Sequence, residues 1–171
     1  MTTATDILID AFDRVAATLS WHLTGLSTQT LLWRPAPDAN SVGWIAWHLA
    51  RVQDDHVAGV GQVDQVWTAQ GHATRFGLPY PTSSIGYGHS SDEVGAFAVG
   101  SAELLLAYHQ AVHRQTLAVL ETLDDAGYRR IVDEQWDPPV TAAVRLVSVV
   151  DDAAQHVGQI GYILGLAERR A

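Results

Sequence analysis

Four stretches of the chain repeat apolar residues at helical spacing, and no stretch of comparable length alternates them as a half-buried strand does. The first runs from Ala4 to Leu23, where Leu8, Phe12, Val15, Leu19 and Leu23 form one stripe that ends near Gly25. After Pro35 and Pro37, Asn40 or Ser41 can cap a second helix through Trp44, His48, Val52 and Asp55. Ser90 with Glu93 three residues on is a capping-box signature for a third. That helix is expected to continue to about Leu123, because Val94, Ala98, Ser101, Leu105, Tyr108, Val112, Val119 and Leu123 share a stripe.

The fourth helix, about Thr141 to Glu168, is apolar on two opposite sides. Ala143, Val147, Ala154, Gly158, Gly161 and Gly165 make one side, and Val149, Ile160 and Ile163 make the other, with Asp152 and His156 among them. A helix apolar all round is expected to be buried. The segment Gly59 to His89 is rich in Gly, Pro, Ser and aromatics and has no long period, which predicts an ordered irregular connection and a candidate pocket wall. The predicted fold is all-α, a four-helix bundle with a long irregular connection between helices 2 and 3, in one domain over 1-171.

Composition narrows the chemistry. With 171 residues and 47% hydrophobic content, the chain can build a true core. Cysteine is absent, which excludes disulfides, thiolate ligands and a cysteine nucleophile. All 10 basic residues are Arg, so no Lys is present for a Schiff base or a P-loop. A formal charge of -9 opposes nucleic acid and anionic membranes, and small molecules are the expected partners. No stretch reaches the length of a membrane span, and Asp6 and Asp10 stand where a leader would carry basic residues, so the expected location is cytoplasmic.

Asp152 and His156 stand at i and i+4 and so project from one helix face about 5 to 6 Å apart at Cβ. A carboxylate among Val149, Ile160 and Ile163 would be costly to bury without a cation or several donors. His48, on the inward face of the second helix, supplies a third member. The three form a nitrogen and oxygen set suited to one divalent ion, zinc foremost, with nickel, iron or manganese as alternatives. Three protein ligands leave coordination open for water or substrate, as in catalytic sites.

His109 and His113 form a rival i, i+4 pair, expected at the rim because both lie off the centre of the third stripe. His22, His56, His72 and His89 are not ranked by spacing. Of the six Trp residues, Trp21, Trp33, Trp44 and Trp47 are expected to pack in the core, while Trp67 and Trp136 fall in loop-like segments that could wall a ligand.

The run Asn40-Ser-Val-Gly-Trp-Ile-Ala-Trp-His48-Leu-Ala, with Asp152-Ala-Ala-Gln-His156-Val-Gly-Gln159, resembles the DinB-like superfamily of metal-binding four-helix bundles. Arg75-Phe-Gly-Leu-Pro, Gly86-Tyr-Gly-His-Ser and Trp136-Asp-Pro-Pro-Val-Thr look like its mycothiol-dependent branch, most closely the mycothiol S-transferases. The superfamily usually presents three histidines, and Asp152 replaces the commonest second one. The resemblance implies a metal-dependent thiol S-transferase that conjugates mycothiol, as thiol co-substrate, to small electrophiles. Trp44, Gln159 and Trp136 are its candidate substrate contacts, and pairing as a homodimer is an associated expectation. Three alternatives stay open: a mycothiol-dependent isomerase of the maleylpyruvate type, a metal-dependent hydrolase, and a non-catalytic stress or ligand-binding bundle.

Overall fold

Thr3 opens the first helix with a reciprocal cap: its hydroxyl accepts from the Asp6 amide, and the Asp6 carboxylate accepts from the Thr3 amide. The structure, a computed structural model, describes residues 2–170. Helix α1 (Ala4–Leu23) and the short α2 (Thr28–Leu32) precede α3 (Val42–Gly61). Three short helices, α4 (Val66–Ala69), α5 (His72–Phe76) and α6 (Ser91–Gly95), lie in the connection to α7 (Ala102–Glu121). Helix α8 (Asp125–Arg129) and an antiparallel hairpin of β1 (Ile131–Asp133) and β2 (Val140–Thr141) then lead into α9 (Ala142–Glu168).

The four long helices form the bundle. Helix α3 packs on α7 and α9, and α1 packs on the same two, which sets α1 and α3 across a diagonal. Ser41 caps α3 and Thr141 caps α9 through their hydroxyls, at the residues where the sequence pattern begins each helix. The stripe on α1 is buried as its spacing predicts. One core cluster surrounds Trp44, Trp47 and Trp67 at the N-terminal half of α3, and a second joins Phe12, Val57, Leu120 and Leu146 toward its C-terminal end.

Several expectations are corrected. The third helix does not run unbroken from Ser90. Its capping box is present, but α6 ends at Gly95, and residues 96–101 are not helical. Phe97 and Val99 are buried while Ala98 between them is exposed, a period of two that lets both side chains face α3. Both pack where Gly43 leaves room, since a methyl group on Gly43 would stand 3.1 Å from Phe97 and 3.6 Å from Val99. A continuous helix would point residues 97 and 99 about 200° apart, so burying both requires the break.

Helix α9 is not buried all round. Ala154 and Gly158 are exposed, as are Val144, Val147 and Tyr162, so only the Leu146, Val149, Ala153, Val157, Ile160 face enters the core. Trp21 lies 77% exposed rather than in the core, and Trp67 sits on α4 as a buried core residue rather than in a loop.

The connection is ordered by a buried polar network that the sequence pattern does not show. The Asp54 carboxylate accepts from the Val66 and Trp67 amides at 2.8 Å each and from the Tyr108 hydroxyl at 2.8 Å. Burial raises its pKa, and these donors together with Arg51 oppose that rise. The Arg51 guanidinium, fully buried beside Asp54, donates to the Ser84 carbonyl and the Gln65 side chain and lies over the Trp67 ring. One side chain on α3 thus ties down both ends of a twenty-residue stretch of the connection.

Candidate metal centre

Facing residues of α3 and α9 bring His48, Asp152 and His156 together, and one ligand atom from each lies within 4.8 Å of the others. Among the described residues no other group of three His or acidic side chains converges in this way. His156 Nε2 stands 3.4 Å from Asp152 Oδ1, as the i, i+4 spacing requires. The His48 and His156 rings meet edge to face with centroids 4.9 Å apart. His48 is 7% exposed, while Asp152 and His156 are half-buried, so the trio opens toward one side of the seam.

Hydrogen bonds behind the rings settle which nitrogens are free. His48 Nδ1 stands 2.5 Å from the Ile85 carbonyl, and His156 Nδ1 stands 2.9 Å from Gln159 Oε1. An acceptor at each Nδ1 assigns the proton there and leaves Nε2 with its lone pair, the arrangement in which imidazole ligands are usually held. Asp152 Oδ2 is buried with no hydrogen-bond partner. Two neutral imidazoles, one carboxylate and an orphaned carboxylate oxygen fit a divalent ion, and the set can hold one.

The ionisation pattern fits as well. Burial lowers the pKa of His48. Burial would raise that of Asp152, but the hydrogen bond and charge of His156 and the nearby His48 and His56 bring it below its ordinary value. Burial would lower that of His156, and its bonds to Asp152 and Gln159 lift it instead.

Of the candidate substrate contacts, Trp44 stacks on His48 with centroids 4.9 Å apart and planes 16° from parallel, and Gln159 bonds His156. Trp136 is 65% exposed in the loop between β1 and β2. His89 joins the surroundings of the centre, with Nδ1 3.4 Å from Trp44 Nε1 and Nε2 2.9 Å from Ser84 Oγ. Side-chain spacing singles out neither His89 nor Ile85. A backbone carbonyl 37 residues from its partner leaves no trace in side-chain spacing.

The chain matches the DinB superfamily over residues 11–160, a span that takes in His48, Asp152 and His156. The chain belongs to that superfamily. A solved structure described as that of the conserved protein of locus from Enterococcus faecalis has a TM-score of 0.88 and 29% identity, covering 95% of this chain and 96% of that one. No curated protein matches the chain. The superfamily's bundle therefore accounts for nearly the whole length, irregular connection included. No helix among the described residues is long and apolar enough to cross a membrane.

Proposed function

We propose that this DinB superfamily member is a metal-dependent S-transferase that conjugates a small thiol, mycothiol, to electrophilic small molecules, with His48, Asp152 and His156 holding a divalent ion, zinc foremost. The observation that carries the metal reading is the convergence of three ligand atoms within 4.8 Å, with both Nδ1 atoms engaged elsewhere. When bound, the ion supplies positive charge that favours the thiolate over the thiol form of a co-substrate. The mycothiol reading is supported by the motifs at Arg75, Gly86 and Trp136 and by the absence of cysteine, which leaves the nucleophile to come from outside.

The chain's own residues do the remaining work. Asp152 contributes the one negative charge of the ligand set, and its Oδ2 is buried without a hydrogen-bond partner. Trp44 covers one face of His48 and keeps bulk water from that side. Gln159 fixes the His156 ring through Nδ1. With 19 acidic against 10 basic residues, the surface favours uncharged or cationic substrates over nucleic acid.

The test is conjugate formation followed by mass spectrometry in metal-loaded and metal-stripped protein, with and without mycothiol, over a panel of electrophiles. Conjugation that needs both metal and thiol supports the reading. Equal rates with and without metal would sink it, and product formed with water alone would make the protein a metal-dependent hydrolase.

A further inference from the structure

A turn within the irregular connection approaches His48 more closely than packing alone requires. Gly86 has a φ of +90°, and a methyl group built on it would stand 2.8 Å from His48 Nδ1, 2.9 Å from the Trp47 ring and 3.0 Å from the Trp44 ring. All three contacts are to rigid rings on α3, so none can move away cheaply. The preceding carbonyl, that of Ile85, is the acceptor for His48 Nδ1. The step is anchored from behind, because Arg51 Nε donates to the Ser84 carbonyl at 3.1 Å and the Gly86 amide donates to Ser84 Oγ at 3.3 Å. Arg51 in turn is held by Gln65 and by the buried Asp54 and Tyr108.

We propose that the Ser84-Ile85-Gly86 step is a positioning clamp for His48: the Ile85 carbonyl sets the ring's tautomer, and the missing side chain of Gly86 lets that carbonyl reach it. The clamp converts folding of the connection into preparation of the centre. Placing the proton on Nδ1 leaves Nε2 unprotonated before any ion arrives, and the Trp44 stack prevents the ring from rotating away. Gly86 and Arg51 act through His48 and are positioning residues. The affinity part of this proposal rests on the metal reading of the site, whereas the tautomer part does not.

Gly88 supplies the control. It too has a left-handed backbone, with φ +73°, but a methyl group there would meet nothing within 4 Å. Gly86→Ala and Gly88→Ala therefore carry a similar backbone strain, and only the first pushes on the His48 ring. Two measurements are made on the full chain. The nitrogen-15 shifts of His48 in metal-free wild type report its tautomer and need no variant. Titration with zinc ion alone, followed by calorimetry, compares the two variants.

The expected results are a proton on Nδ1 in the wild type and zinc binding in Gly86→Ala about 10- to 100-fold weaker than in Gly88→Ala, the range associated with loss of a hydrogen bond behind a metal ligand. A proton on Nε2 in the wild type overturns the clamp, as does equal zinc affinity in the two variants. If the wild type binds no zinc, the metal reading fails, and the tautomer alone decides the clamp. If Gly86→Ala does not fold while Gly88→Ala does, the tautomer decides in the same way.

Discussion

The bundle contains two i, i+4 pairs built on histidine, Asp152 with His156 and His109 with His113, each facing a seam, and the two seams treat them differently. On α9, Asp152 and His156 meet His48 from α3, and the three ligand atoms converge on one side. On α7, the His109 and His113 rings lie parallel, 11° apart with centroids at 6.3 Å. His113 spends Nε2 on Asp13 of α1 at 2.9 Å, and its Nδ1 is buried without a partner. His109 is not the rim residue its wheel position predicts. It is 3% exposed with Nε2 unpartnered, and burial with the nearby His113 pushes its pKa down to about 3. Identical spacing thus yields an open ligand set in one seam and an enclosed neutral ring in the other. The deciding element is what the neighbouring helix and loop offer each nitrogen: oxygen acceptors at both Nδ1 atoms in the first case, and one carboxylate at the outer Nε2 in the second.

The strongest way to break this contrast is to remove ligands from each seam in turn. His48→Ala or His156→Ala should lose metal by more than the roughly 100-fold that removing a hydrogen bond behind a ligand costs. His109→Ala and His113→Ala should keep metal occupancy near the wild-type level, read by elemental analysis after dialysis. The reverse outcome would move the centre to the α1 and α7 seam.

A smaller effect tests the enclosed side of the comparison through pH. An ordinary histidine titrates near 6.5, and His109 in the folded chain does so only near 3. Between those values the unfolded chain binds a proton that the folded chain refuses, so this contribution to stability is whole above pH 6.5 and falls as the pH drops toward 3. At pH 5 the loss amounts to about 2 kcal/mol, using roughly 1.4 kcal/mol per pH unit. Denaturant melts at pH 7 and pH 5 should show it in wild type, and the difference should shrink in His109→Leu. An unchanged pH dependence in His109→Leu would mean that the buried ring is not the source.

Asp152→Asn should cost metal affinity by about tenfold or more, on the order of 1.4 kcal/mol, because it removes the negative charge that faces the ion while preserving volume. Asp152→His should retain metal. Equal zinc affinity in Asp152→Asn and wild type, measured by calorimetry, would show that the carboxylate is not a ligand. The smallest effect belongs to the other seam's carboxylate: Asp13→Asn should change stability by less than about 1 kcal/mol, since its pair with His113 is partly exposed. It should also leave metal content unchanged, and a large loss in either would erase the distinction between the seams.

Four long helices, though not the start of the third, and the shared face of Asp152 and His156 are legible in the sequence. Both are properties of one segment: apolar period, a cap at Asn40 or Ser41 that the fold resolves to Ser41, and about 100° of turn per residue place side chains before any neighbour arrives. The sequence also placed the capping box at Ser90, which opens a helix in the fold even though that helix stops at Gly95. The tertiary structure alone decided where α6 ends, which face of α9 meets water, that His109 is enclosed while Trp21 is not, and that a carbonyl at Ile85 meets His48. Each of these depends on elements distant in sequence competing for the same space, as Phe97 and Val99 do over Gly43. Periodicity records which side of a helix is apolar, whereas burial is a relation between two surfaces and exists only once they are packed together.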